Sequence, residues 1–249
     1  MRLQLIRNAT MRLEYGGRTI LTDPYLAAMH SRPSFTGKSL NPMVELPMTP
    51  QQVLQGVEMA LITHVHSDHF DPLAQELLPK GTPIFCQPGD TANIGKLGFS
   101  DVTGVQGEVE WRGVKIKRTE GQHGSGEVLA AMGHVSGFVL RAKNEPTIYW
   151  AGDTILNDDV LGVIETEKPD AILTHSCGAV WGKQVLIVMD AAQTVEVCRA
   201  APRSRVVAIH MEALDHATVT REALRRYATE HGVEKEQLLI PTDGEIINL

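Results

Sequence analysis

"LITHVHSDHF", residues 61 to 70, places three histidines and an aspartate within six positions, directly after an apolar run. In an extended segment, residues i and i+2 point to the same side, so His64 and His66 are able to share one metal ion. Asp68 and His69 lie beyond the turn and reach toward a second ion. Imidazole suits zinc, iron and related metals, and a carboxylate adds charge and hardness. A solvated His-rich loop is the plain alternative, and the HxHxDH spacing argues against it.

Outward from this stretch, apolar runs end repeatedly in His or Asp. "ALIT" ends in His64, "KIKRTEGQ" in His123, "IYWAG" in Asp153, "ILT" in His175 and "VVAI" in His210. In α/β sheets, ligands bind outside the carboxyl ends of strands, where side chains from neighbouring strands converge.

The rest of the chain supplies the frame. Strands are expected at 3–7, 11–15 and 18–23, then a loop over 24–47 with four prolines and no period. That loop reads equally as an active-site lid or a surface excursion. From residue 59 onward, strands alternate with helices: strands at 59–63, 82–86, 113–119, 136–142, 147–153, 170–176 and 205–210, with helices at 71–79, 90–98, 157–168, 189–201 and 220–232. A terminal strand or two follows. No repeat or linker interrupts the pattern, so residues 1–249 read as one α/β domain, sheets with helices packed outside.

A formal net charge of −7 makes nucleic acid an unfavoured partner. Three cysteines without a CxxC pair fit a reducing cytosol, and no stretch approaches the roughly twenty apolar residues of a membrane span. The opening residues lack the apolar segment of a signal peptide. A cytoplasmic protein with a small-molecule substrate and no membrane contact is expected; a homo-oligomer is left open.

"THVHSDHFD" resembles the HxHxDH signature of the metallo-β-lactamase superfamily, and His123, Asp153 in "AGDT" and His210 follow in the family's order. The resemblance spans nearly the whole chain and is greatest to the ascorbate-6-phosphate lactonase-like hydrolases. It implies a four-layer αββα sandwich, two mixed sheets with helices outside. It also implies that His64, His66 and His123 bind one metal, that Asp68, His69 and His210 bind a second, and that Asp153 bridges the two. The superfamily's β-lactamases carry a cysteine near that point, whereas Asp153 is similar to the phosphoesterase and lactonase branches. Two divalent ions are expected, zinc first, with manganese, iron or nickel as alternatives. Such a pair lowers the pKa of a shared water from 15.7 towards about 7, and Asp68 is the candidate catalytic group for orienting it or moving protons.

Several residues carry weaker claims. His175 is a candidate to hydrogen-bond substrate or a metal ligand and His134 a candidate to line the substrate pocket, each with a structural role as the alternative. His216 competes with His210, which is preferred because it directly follows an apolar strand. Asp23 reads as an Asx-turn before Pro24 or, less simply, as the acceptor for a ligand imidazole. Trp181 and Phe35 sit on plausible pocket rims. The function expected is hydrolysis of a small lactone, amide or phosphoester by a metal-bridging hydroxide. A phosphodiesterase or nuclease, and a metal-binding protein without turnover, are the alternatives.

Overall fold

A computed structural model describes all 249 residues. The chain opens with β1 (Arg2–Arg7), β2 (Thr10–Tyr15) and β3 (Arg18–Thr22), then α1 (Pro50–Leu54), β4 (Met59–Ile62), α2 (Pro72–Leu77), β5 (Ile84–Cys86), α3 (Thr91–Lys96) and β6 (Val102–Gly104). The second half runs β7 (Glu108–Trp111), β8 (Val114–Glu120), α4 (Gly126–Met132), β9 (Ser136–Ala142), β10 (Ile148–Trp150), α5 (Asp158–Glu167) and β11 (Ala171–His175). A small hairpin, β12 (Val180–Trp181) and β13 (Val185–Leu186), precedes α6 (Ala191–Ala200), β14 (Arg205–Ile209), α7 (Arg221–Glu230), β15 (Leu238–Leu239) and β16 (Ile246–Asn248).

Two seven-stranded sheets result. One has the order β16-β1-β2-β3-β4-β5-β6 and the other β15-β14-β11-β10-β9-β8-β7. Each is mixed: the hairpin-connected strands pair antiparallel, and the strands joined through helices pair parallel, as in β3 with β4 and β11 with β14. Short turns permit antiparallel neighbours, whereas a parallel pair needs a crossover.

Three apolar clusters fix the layers. Leu5, Leu13, Leu61, Phe138, Trp150 and Val207 belong to one cluster that fills the space between the sheets. Ile62, Phe70, Ala74 and Ile94 seal α2 and α3 onto the outer face of the first sheet. Tyr149, Val160, Val195, Val206 and Leu224 do the same for α5, α6 and α7 on the second. Alternate residues of a strand face opposite ways, so Trp150 enters the inner core while its neighbour Tyr149 enters an outer one. Helices therefore flank a sheet pair, the expected αββα sandwich. The elements expected at 11–15, 136–142 and 157–168 stand within a residue of those positions. No helix is long and apolar enough to cross a membrane.

Candidate metal centre

The turn after β4 is built by its own polar groups. Thr63 donates from its backbone N–H to Oδ1 of Asp23 at 2.8 Å and from its hydroxyl to Oδ2 at 2.6 Å. The His66 carbonyl accepts from the backbone N–H groups of His69 and Phe70, both at 3.0 Å, which reverses the chain. Asp71 then caps α2, accepting from Leu73 and Ala74, with Pro72 opening the helix. The "HVHSDHFDP" run thus encodes a turn and a helix start around its three histidines and Asp68.

The second sheet delivers the remaining groups from its strand ends. His123 follows β8, Asp153 follows β10, His175 closes β11 and His210 follows β14. Gly152 is required beside Asp153: its φ is +72°, and a Cβ there would meet the Ser136 carbonyl oxygen at 2.5 Å. His210 itself is left-handed, φ +62°, a conformation uncommon for a residue with a Cβ and typical of functional sites. Its backbone N–H donates to Asn8 at 2.9 Å.

These side chains converge in two groups, His64, His66 and His123 in one, and His69, Asp153, His175 and His210 in the other, with ligand atoms within 4.8 Å of one another. Asp153 joins them. Its Oδ2 lies 3.2 Å from His69 Nε2, 3.6 Å from His123 Nε2 and 3.9 Å from His64 Nε2, and its Oδ1 lies 3.6 Å from His210 Nε2. Asp68 Oδ2 stands 3.4 Å from His69 Nε2 and 3.5 Å from His210 Nε2.

Whether the donor set fits a cation is decided by where the imidazole protons go. The Thr63 hydroxyl proton is committed to Asp23, so His64 Nδ1 donates to Thr63 Oγ1 at 3.0 Å. Its Nε2 then carries a lone pair, and that atom is buried with no hydrogen-bond partner. His69 Nδ1 donates to Asp23 Oδ2 at 2.6 Å, and His123 Nδ1 donates to the Ile187 carbonyl at 2.8 Å. His64 and His123 therefore present Nε2 lone pairs inward, and His69 does so once a cation displaces the second proton it holds. His210 Nδ1 faces the Cys177 thiol at 3.3 Å, and its Nε2 stands 3.2 Å from that of His69. Buried lone pairs facing each other beside two carboxylates require positive charge between them. The residues fit a pair of divalent cations, with outer hydrogen-bond partners of the kind that orient metal-binding histidines.

Electrostatics without the metal point the same way. Burial opposes charge on His69 and His210, yet Asp153, aided by Asp68, overrides it: His69 is raised well above the ordinary imidazole value and His210 to about 10. Burial alone would raise Asp153, but His69 and His210 hold it well below the carboxylate range. His64, facing only other histidines and one carboxylate, is pushed down, chiefly by burial.

A cavity of about 200 Å³ opens on this centre. Asp68, Asp153, His66 and His123 form its polar side, and Phe35, Met132, Trp181 and Ile187 its apolar side. Ser67 and His216 complete the wall. Phe35 is brought there by Asp215, which accepts hydrogen bonds from Ser34, Thr36 and Asn41 side chains and from the Phe35 backbone at 2.9 Å. The 24–47 loop is in this way folded onto the site at residues 34–41.

Two expectations of substrate contact need correction. His175 is fully buried and does not line the cavity. Its Nε2 accepts from Trp150 Nε1 at 2.9 Å and its Nδ1 donates to Asp153 Oδ1 at 2.5 Å. Both nitrogens are occupied, so although the ring lies among the metal-binding atoms it orients Asp153 and has no atom to offer a substrate. His134 is exposed and outside the cavity, and its part is a backbone carbonyl that accepts from Gln87. Asp23, read first as an Asx-turn, is the fully buried acceptor for His69 instead. Met132 and Ile187 were not singled out by the sequence: neither carries a polar atom or a motif, and only the packing of α4 against the hairpin brings them to the cavity.

Fold and centre together define a metallo-β-lactamase-type protein. The family model of the β-lactamase superfamily domain matches residues 18–211. The UPF0173 protein YddR of Bacillus subtilis is 34% identical over 251 residues, covering 98% of each chain. The chain belongs to the UPF0173 family of the metallo-β-lactamase superfamily. Among solved structures it is similar to an isothiocyanate hydrolase from Delia radicum gut bacteria, with 35% identity, a TM-score of 0.93, and coverage of 100% of this chain and 99% of that one. It is also similar to a possible metal-dependent hydrolase from Veillonella parvula, with 32% identity, a TM-score of 0.96 and the same coverage.

Proposed function

We propose that this metal-dependent hydrolase adds water to the electrophilic carbon of a small, uncharged substrate bearing an apolar substituent, an isothiocyanate foremost. The observation that carries this reading is the cavity of about 200 Å³ that opens on the joined clusters and is walled by Phe35, Met132, Trp181 and Ile187. Its volume suits a small molecule, and its apolar side matches an alkyl or aryl group. The similarity to an isothiocyanate hydrolase along the whole chain supports the choice of electrophile.

His64, His66 and His123 would hold one cation, Asp68, His69 and His210 the other, and Asp153 would lie between them. Zinc suits this set of imidazoles and carboxylates. Two bound divalent cations supply a hydroxide nucleophile at neutral pH and polarise the substrate. Asp68, at the cavity wall, holds the water's orientation and takes up its proton. Trp150 and His175 keep Asp153 fixed, and the apolar wall orients the substituent and excludes bulk water. In overall balance, R–N=C=S and H₂O give the thiocarbamic acid R–NH–C(O)SH, which separates into R–NH₂ and COS.

A lactone or amide carbon would be attacked by the same groups. A phosphoester, or the phosphorylated lactone of the ascorbate-6-phosphate branch, finds no Lys or Arg on the cavity wall to meet its charge.

The test pairs metal analysis with a substrate panel. Wild type and Asp153→Ala are assayed for bound metal and for turnover of benzyl isothiocyanate, a simple lactone and a phosphodiester. About two metal equivalents and metal-dependent loss of the isothiocyanate, both lost in Asp153→Ala, are expected. Turnover of the phosphodiester alone, or isothiocyanate loss unaffected by a chelator, would sink the reading.

A further inference from the structure

His216 stands in the cavity wall without a task in the metal centre. It is only 7% exposed, and its Nδ1 is buried with no hydrogen-bond partner. Burying an imidazole nitrogen unsatisfied is costly, and such groups in a folded protein call for an explanation. The ring borders the same cavity as Asp68 and Asp153, yet it belongs to neither group of metal-binding atoms.

The surroundings fix this ring firmly. Phe35 packs edge-on against it, with ring centroids 4.9 Å apart and planes at 76°, and Trp181 backs Phe35 at 6.3 Å. The His216 carbonyl accepts from Val180 of the hairpin at 3.2 Å. Its chain neighbour Asp215 is tied to residues 34–41 through both carboxylate oxygens and through its own N–H, which donates to Asn41 Oδ1 at 2.9 Å. Two separate segments, residues 34–41 and the hairpin, thus hold the residue in place. Burial keeps His216 below the ordinary imidazole value; Asp68 pulls it up and His210 pushes it down. At neutral pH the ring is uncharged, with one N–H to donate and one lone pair.

We infer that His216 is a catalytic residue: its Nδ1 is sealed in the wall without a donor to spare for it and keeps the lone pair, so Nε2, the nitrogen left open to the cavity, carries the proton and donates it as a hydrogen bond to the heteroatom of the bound substrate on which charge develops as water adds to the carbon. For an isothiocyanate that atom is the nitrogen or sulfur; for a lactone it is the carbonyl oxygen. Phe35 and Trp181 hold the substituent beside it. A preorganised donor aimed at developing charge in a water-poor site acts most strongly in the transition state. The inference rests on the hydrolase reading of the cavity, so its test includes a measurement that needs no turnover.

His216→Ala, His216→Asn and His216→Gln are compared with wild type. Metal content should remain at the wild-type level in all three, because His216 is not a ligand. With an isothiocyanate substrate, His216→Ala should lower kcat about 100-fold with little change in KM, the loss typical of one transition-state donor. At least one amide variant, which keeps an N–H, should recover part of it. In parallel, thiocyanate, which carries the N–C–S unit without being hydrolysed, is titrated into cobalt-loaded protein and followed by visible absorption. Its affinity should fall about tenfold in His216→Ala, the scale of one lost hydrogen bond. Thiocyanate binding that is absent in wild type, or unchanged in His216→Ala, overturns the contact whatever the turnover. So does a fall in metal content, which would make His216 a ligand. If wild type hydrolyses nothing in the panel, the hydrolase reading fails while the titration still decides on His216.

Discussion

His175 donates from Nδ1 to Oδ1 of Asp153 across 2.5 Å, while its Nε2 accepts the indole N–H of Trp150 at 2.9 Å. The indole has a donor and no acceptor, so it dictates the tautomer of the histidine, and the histidine in turn dictates the pose of the carboxylate between the two clusters. Burial lowers the His175 pKa to about 4, with Asp153 opposing, so the ring keeps a single proton throughout the neutral range. His175→Ala should therefore weaken metal affinity by about 10- to 100-fold, the usual effect of losing an outer partner. Competition against a chromophoric chelator measures it, and unchanged affinity would remove His175 from the centre.

Metal uptake should release protons. His210, raised to about 10, and His69, raised above the ordinary range, hold protons at pH 7 in metal-free protein. Their contribution to stability is complete below the unfolded imidazole value and is lost as pH rises through the folded value. Cations must displace those protons. Loading at pH 7 in weak buffer should thus acidify the solution, as an indicator dye would record. The Tm of chelator-treated protein should also fall between pH 7 and pH 10, while that of loaded protein holds.

Asp215→Asn tests the anchoring of residues 34–41. Burial opposes its charge, but hydrogen bonds from Ser34, Thr36 and Phe35 hold the carboxylate far below its ordinary range. Its stabilisation is present above the unfolded carboxylate value and disappears only as pH falls through the lower folded one, in strong acid. The amide loses acceptor capacity for several donors, at a cost of about 1–3 kcal/mol. Thermal denaturation at pH 7 should show the lower Tm, with a raised KM because Phe35 is no longer held at the cavity.

Gly152→Ala places a methyl group 2.5 Å from the Ser136 carbonyl oxygen, at a φ of +72°. Strain of this kind costs about 1–3 kcal/mol. The backbone can relieve it only by moving Asp153, so metal content and Tm should fall together. A stable variant with full metal content would show that the strand end has slack.

Much of this architecture is legible in the chain because burial leaves a simple trace. Strands such as Met59–Ile62 and Ala171–His175 are covered on both faces and read as unbroken apolar runs that stop at a polar residue. The ligand-bearing positions are found by that stop. β7, "EVEW", alternates acidic and apolar residues as a half-buried strand does, but four residues are too few for that alternation to stand out. α4 spans only seven residues and none of them is fully buried, Val128 and Met132 being half-covered, so its apolar side is too short to show a helical period. The roles of Asp23 and His175 stay open between alternatives in the sequence for a different reason. Their partners, His69 and Asp153, stand 46 and 22 residues away, and a hydrogen bond across such a gap exists only once the sheets have formed. His216 looked like a rival ligand because its distinguishing feature, a nitrogen without a partner, belongs to the packed protein alone.

The clustered His and Asp side chains lie at or just beyond the ends of sheet strands, whereas Phe35, Met132 and Trp181 come from a long loop, a surface helix and a hairpin of two-residue strands. Heredity is thereby free to rewrite one set and leave the other alone. Descendants of one ancestor with this frame are able to diverge in diet while their reaction stands still, and a directed-evolution campaign has three short stretches of chain to randomise.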